Sequence, residues 1–249
     1  MEQHGRFLIT CEHGGNRIPI RYRDCFAGCE DLLQSHRGYD AGALSMARTL
    51  ARQLGAPLIY STISRLLVDL NRSPGHPRLH AEAIRRLPAE LRQRILADYY
   101  LPFRSKVEAA IVAALASGQR VIHLSSHSFT PVLDGIVRSA DVGLLYDPAR
   151  AGEADLCEAW LACFREREPG LRLRRNYPYS GKSDGLTAYL RRRFPADDYL
   201  GIELEINQGI VAAGGKKWRC LRSQVIASLA QALEAAAWPT TQGRASAEE

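Results

Sequence analysis

Three stretches of this 249-residue sequence put chemically capable side chains where a buried β-strand should end. In FLITCEHGGN the apolar run Phe7, Leu8 and Ile9 reads as a strand and gives way to Glu12, His13, Gly14, Gly15 and Asn16. Ligands of open α/β sheets bind at the carboxyl ends of the strands. An imidazole delivered there, beside two glycines that admit close neighbours, is a candidate metal ligand, although a solvated turn histidine leaves the same trace. In RVIHLSSHSF, Val121, Ile122 and Leu124 form a second buried strand with His127 at its end. His123, inside that strand, reads as a hydrogen-bonded core histidine. The third stretch, YLGIELEINQ, is a strand whose Glu203 and Glu205 share one face by the two-residue period, with Glu205 nearer the functional end.

A carboxylate could be bound nearby. Leu66 to Leu70 reads as a central strand with Arg65 before it and Asp69, Asn71 and Arg72 at its end, in SRLLVDLNRS. Two guanidinium forks and a directed amide suit a carboxylate, with Asp69 to orient them; a surface salt-bridge cluster would use the same residues. In NYPYSGKSDG, Gly181 and Gly185 let a loop bend over a cleft, where Asn176, Tyr179 and Lys182 could meet a polar ligand.

The elements that must position these groups alternate between strand and helix. After a long loop from Asn16, AGALSMARTLARQL is an amphipathic helix with Asp40 at its N-cap and Gly55 closing it. Pro57 to Ser61 is a strand, and 88 to 118 is helical, with Ile95, Tyr99, Phe103, Val107 and Ile111 on one side. Val142 to Tyr146 and Leu171 to Arg175 read as strands. Ala149 to Arg165, a segment starting near Gly185, and Lys217 to Ala237 read as helices. Such alternation marks a layered α/β fold. The length suits one domain, expected over residues 1–238, with a small polar tail over 239–249.

Composition excludes several classes. No apolar run approaches a membrane span and the N-terminus lacks the pattern of a signal peptide, so a cytoplasmic location is expected. Six scattered cysteines read as thiols, and Cys25 with Cys29 alone makes a weak zinc pair. The net charge of +6 is spread over many elements instead of one basic tract, which argues against a nucleic-acid binder and suits a small acidic substrate.

The ordered set EHGGNRIP, YDAGA, SRLLVDLNRS, SHSF, NYPYSG and ELEINQ resembles the N-formylglutamate amidohydrolase family. The resemblance implies a three-layer αβα fold of the phosphorylase/hydrolase-like kind around a mixed, mostly parallel sheet, related to zinc carboxypeptidases and aspartoacylases. It also implies zinc-dependent hydrolysis of a small-molecule N-acyl amino acid, with one zinc ion per chain and no membrane partner. The alternatives are a metallo-exopeptidase using the same centre on a peptide terminus and a non-enzymatic anion- or nucleic-acid-binding protein, and a homo-oligomer is compatible with each. His13 and His127 match metal-ligating positions. The relatives' glutamate ligand three residues after the first histidine falls here on Asn16, so the resemblance implies that an inserted loop moves this ligand to Asp40, with Asn16 as the other choice. Asn71 and Arg72 match the pair that holds the substrate carboxylate. Arg65 matches a further arginine able to stabilise an oxyanion, and Glu205 would carry the proton from water to the departing amine.

Overall fold

The computed structural model describes residues 6–235, so the expected end of the last helix and the tail over 239–249 lie outside the described residues. Its strands are β1 (Arg6–Cys11), β2 (Leu58–Tyr60), β3 (Val121–Phe129), β4 (Val132–Leu133), β5 (Ile136–Val137), β6 (Val142–Leu145), β7 (Leu173–Arg175) and β8 (Tyr199–Asn207). Six form one sheet in the order β2-β1-β3-β8-β6-β7; β1 is parallel to both β2 and β3, β3 is parallel to β8, and β6 joins β8 antiparallel. The remaining two, β4 and β5, make a separate hairpin.

The helices are α1 (Glu30–Gln34), α2 (Ala43–Leu54), α3 (Glu82–Arg85), α4 (Ala89–Ile95), α5 (Leu101–Ala116), α6 (Ala151–Arg167), α7 (Leu186–Arg193), α8 (Gln208–Ala213) and α9 (Gly215–Ala235). They cover both faces of the sheet, giving the mixed, mostly parallel three-layer arrangement expected from sequence. Met46 and Leu50 of α2, Trp160 of α6 and Leu229 of α9 share one apolar core, whereas Ile84, Ile95, Phe103, Val107 and Leu190 belong to the other.

Period-two patterning explains where the chemistry sits. On β1, β3 and β8, the side chains Ile9, Ile122, Leu124, Ile202 and Leu204 enter the α2/α6/α9 core. Alternate positions on the opposite face carry Thr10, His123, Ser125, His127, Glu203 and Glu205, every one buried. Register places Ser125 beside Glu203 and His127 beside Glu205. The polar stripe thus runs toward the carboxyl ends of three parallel strands.

Three local expectations are corrected. Leu66 to Leu70 is not a strand: it is a series of turns, with Leu67 N bonded to Ser64 O at 3.0 Å and Asp69 N to Leu79 O at 2.8 Å. Leu66, Leu67, Val68 and Leu70 are buried there, and an apolar run without a period looks the same in a buried turn as in a strand. Asp40 does not cap α2; that place belongs to Gly42, at φ 81°, where a Cβ would come within 2.7 Å of Val211. The helix over 88–118 is interrupted by a π turn, Leu96–Tyr100, whose extra residue brings Tyr100 inward and leaves Tyr99 partly exposed.

Candidate metal centre

His13 emerges one turn past β1. The two glycines behind it let the chain lie against 61–62, with Gly14 N bonded to Ser61 O at 3.0 Å and a Cβ on Gly14 barred by that same oxygen at 2.8 Å. The long loop then packs Tyr22 and Phe26 into the core and returns, so that Asp40 N donates to His13 O at 2.9 Å. From β3, His127 completes a cluster in which one ligand-type atom each of His13, Asp40 and His127 lies within 4.8 Å of the others. All three side chains are buried.

Hydrogen bonding decides which atoms face inward. His13 Nε2 lies 2.7 Å from Asp69 Oδ1, and His127 Nε2 lies 3.1 Å from Glu12 Oε2. Despite burial, Arg65 and His13 hold Asp69 well below the usual carboxylate range. Contacts with His127, Thr10 and Ser125 likewise hold the buried Glu12 at about 2. Both carboxylates are therefore ionised and can only accept, so each imidazole carries its hydrogen on Nε2. The two Nδ1 atoms then converge on one oxygen: Asp40 Oδ2 is 3.3 Å from His13 Nδ1 and 2.9 Å from His127 Nδ1. A buried Asp40 is kept ionised by His13, His127 and Arg65. Nitrogen lone pairs facing a carboxylate need a cation between them or an extra proton. Hydrogen bonds to Asp40 and Glu12 outweigh desolvation and raise His127 well above its ordinary value.

Around this centre, Arg65 spans two acids, with Nη1 3.2 Å from Asp40 Oδ1 and Nη2 2.8 Å from Asp69 Oδ2. Glu205 is buried and its Oε2 has no hydrogen-bond partner; burial, then Asp40 and Glu203, push its carboxyl up to about 8 against the pull of His127 and Arg65. Glu203 differs, since its Oε1 accepts a 2.6 Å bond from Thr187 on α7. Asn71 Nδ2 lies 3.5 Å from His127 Nε2 without a hydrogen bond between the two donors, while Asn71 Oδ1 accepts from Leu186 N at 2.6 Å. Arg72 bonds the Asp184 carbonyl through Nη1 and has a buried Nε without a partner. Its own carbonyl accepts from Tyr100 at 2.8 Å and Arg104 at 3.4 Å, a bracing contact made by the residue the π turn brings inward.

Other residues singled out from sequence stand elsewhere. Asn16 donates its side-chain amide to Leu33 O at 3.1 Å. Asn176, at φ 49°, uses Oδ1 to organise its loop, accepting from Tyr146 N at 3.1 Å and Gly181 N at 2.9 Å. Tyr179 accepts from Arg138 at 3.0 Å, and Lys182 is exposed. His123 is a core histidine, bonded to Thr10 at 2.8 Å and Tyr199 at 2.7 Å. The orienting roles of Glu12 and Ser125, whose hydroxyl donates to Glu12 at 2.7 Å, were not read from sequence. The signal was their period-two spacing from Thr10 and His127.

Comparison with known proteins agrees with this architecture. A gene product from Agrobacterium tumefaciens superimposes with a TM-score of 0.81 at 30% identity, over 94% of this chain and 92% of that one. An N-formylglutamate amidohydrolase from Ralstonia eutropha JMP134 does so with a TM-score of 0.64 at 20% identity, over 94% of each chain. No curated protein matches the chain. The family model for N-formylglutamate amidohydrolase matches residues 5–212, which is most of the sequence and includes every residue of the centre. This chain belongs to the N-formylglutamate amidohydrolase family.

Proposed function

We propose that the chain hydrolyses the amide of an N-formyl or other short N-acyl amino acid at a divalent cation, zinc, held by His13, Asp40 and His127. The observation that carries this reading is the convergence of two Nδ1 atoms on Asp40 Oδ2 while both Nε2 atoms are bound to carboxylates. Carboxylates that fix the far nitrogen of a histidine are the usual surroundings of a ligating imidazole, and two nitrogens with one oxygen suit zinc while leaving a coordination position for reactants. When bound, zinc supplies a Lewis acid that polarises the substrate carbonyl and makes water more acidic.

The protein residues account for the rest. Glu205, buried with an unpartnered oxygen on the strand beside His127, takes a proton from the attacking water in its ionised form and returns it to the departing amine nitrogen. Arg65, locked by Asp40 and Asp69, keeps its remaining N–H groups pre-aimed and offers them to the oxyanion. Asn71 and Arg72 hold the substrate carboxylate, and the bonds from Tyr100 and Arg104 to the Arg72 carbonyl keep that fork in place. The decisive experiment offers the zinc-loaded protein a panel of N-formyl, N-acetyl and N-succinyl amino acids beside short peptides. Release of free amine from the N-acyl amino acids is expected. Turnover confined to peptides would make the chain an exopeptidase and overturn this reading.

A further inference from the structure

Asp184, Gly185 and Leu186 lead into α7 and carry no role in the chemistry above, yet together they hold the three consecutive residues from 71 to 73. The Asp184 carboxylate accepts from Ser73 N at 2.9 Å and from the Ser73 hydroxyl. Its carbonyl accepts from Arg72 Nη1, and Leu186 N donates to Asn71 Oδ1 at 2.6 Å. Against the upward push of partial burial, the Ser73 bonds together with His76 and Arg72 lower the Asp184 carboxyl from its ordinary value, so it is ionised and can only accept.

Gly185 is glycine for space and not for backbone. Its φ of -177° is open to any residue, but a Cβ would lie 3.0 Å from Asn71 Oδ1 and 3.4 Å from Glu203 Oε1. The segment is itself fixed from both sides. Tyr189 N donates to Gly185 O at 2.9 Å, Thr187 donates to Glu203 at 2.6 Å, and Arg191, paired with the buried Glu153 at 2.9 Å, donates to Gly181 O at 2.6 Å.

Two orientations follow from these contacts. With Oδ1 committed to Leu186, the Asn71 amide turns its nitrogen to the side of the centre, 3.5 Å from His127 Nε2. With Nη1 committed to the Asp184 carbonyl, the Arg72 fork keeps a buried Nε without a partner. A planar fork binds a carboxylate through two parallel N–H groups only when its plane is held.

We propose that Asp184 is a positioning residue for the carboxylate grip of Asn71 and Arg72, holding Ser73 and the Arg72 fork so that the Nε edge of that guanidinium is presented to substrate. This rests on the amidohydrolase reading and on the place of Asn71 and Arg72 within it.

The test compares zinc-loaded variants of the full chain on N-formyl-L-glutamate and on its dimethyl ester, with binding of L-glutamate followed by calorimetry. Asp184→Ala should raise KM for the acid about 10-fold, the scale of one charge-assisted bond, with kcat within about 2-fold and KM for the diester nearly unchanged. Asp184→Asn, which keeps the shape and one acceptor, should raise it less, and Gly185→Ala, acting through Asn71, should also raise it for the acid alone. A folded Asp184→Ala with an unchanged KM for the acid, or with equal losses on acid and diester, would overturn the proposal. Should Asp184→Ala fail to fold, Ser73→Ala, which removes one of its two bonds, decides by the same criterion. If Arg72→Ala alters neither KM nor the binding of L-glutamate, the place of Arg72 falls and this proposal with it. If the wild type cleaves neither compound while Arg72→Ala and Asp184→Ala both weaken the binding of L-glutamate, the amidohydrolase reading fails and the positioning role stands.

Discussion

At the scale of single residues, His13 and His127 turn their Nδ1 atoms toward one oxygen of Asp40. Hydrogen bonds to Asp40 and Glu12 raise His127 well above its ordinary value, so on the proposed reading a zinc ion bound there would displace a proton. Calorimetric titration in buffers of different ionisation enthalpy should show about one proton released per zinc bound near pH 7. His127→Ala should abolish both release and binding, and Asp40→Ala should lose most of the zinc while Asn16→Ala keeps it. Full zinc in Asp40→Ala would remove Asp40 from the ligand set. The two strand glutamates provide a second contrast. Glu205→Gln should retain zinc and fold yet lose roughly 10²–10⁴ in kcat, the usual share of acid–base catalysis. Glu203→Gln, which weakens the bond to Thr187, should act on stability first. A nearly active Glu205→Gln beside an inactive but folded Glu203→Gln would reverse the assignment.

At the scale of elements, α2 must begin where it does for Asp40 to reach the centre. Its N-cap, Gly42, has φ 81° and faces Val211 of α8, so a methyl group there meets both backbone strain and a side chain at 2.7 Å. Gly42→Ala should cost about 1–3 kcal/mol in urea unfolding. The double variant with Val211→Ala should recover only the steric part, and full recovery would show that the left-handed backbone costs nothing. Buried Ser126 and Ser128 of β3 hold the same junction through Ala43 O at 3.0 Å and Ala41 O at 2.7 Å. The helix start and the strand bearing His127 are thereby tied together.

For the whole molecule, one pH-dependent contribution to stability comes from a histidine that takes no part in the proposed chemistry. Burial lowers His123 to about 4 from an ordinary 6.5, and its bonds to Thr10 and Tyr199 cross from β1 through β3 to β8. The unfolded chain binds a proton below pH 6.5 that the folded chain refuses until about 4, so the contribution of His123 to stability falls as pH drops through that window. The loss attributable to His123 amounts to roughly 3 kcal/mol. Denaturant unfolding of wild type and His123→Gln should therefore converge as pH falls from 7 to 4. Parallel curves would mean that His123 is not buried neutral. Among the described residues no helix is long and apolar enough to cross a membrane.

The alternation of strands and helices, His123 in the core and the imidazoles at strand ends were legible in the sequence, because period-two and period-3.6 patterning are local properties. The motif set was also sufficient to indicate the family. Tertiary structure alone could reveal which nitrogen of each imidazole faces inward, since that depends on Asp69 and Glu12, carboxylates supplied by other parts of the chain. It likewise turned Leu66 to Leu70 from an expected strand into buried turns and moved the cap of α2 from Asp40 to Gly42, freeing the aspartate for the centre. It drew Asn176 into loop construction and set Arg138 against Tyr179 across 41 residues. Distant pairings of this kind leave no period and no spacing behind, because a side chain's partner is chosen by the packing of elements and not by its neighbours in sequence.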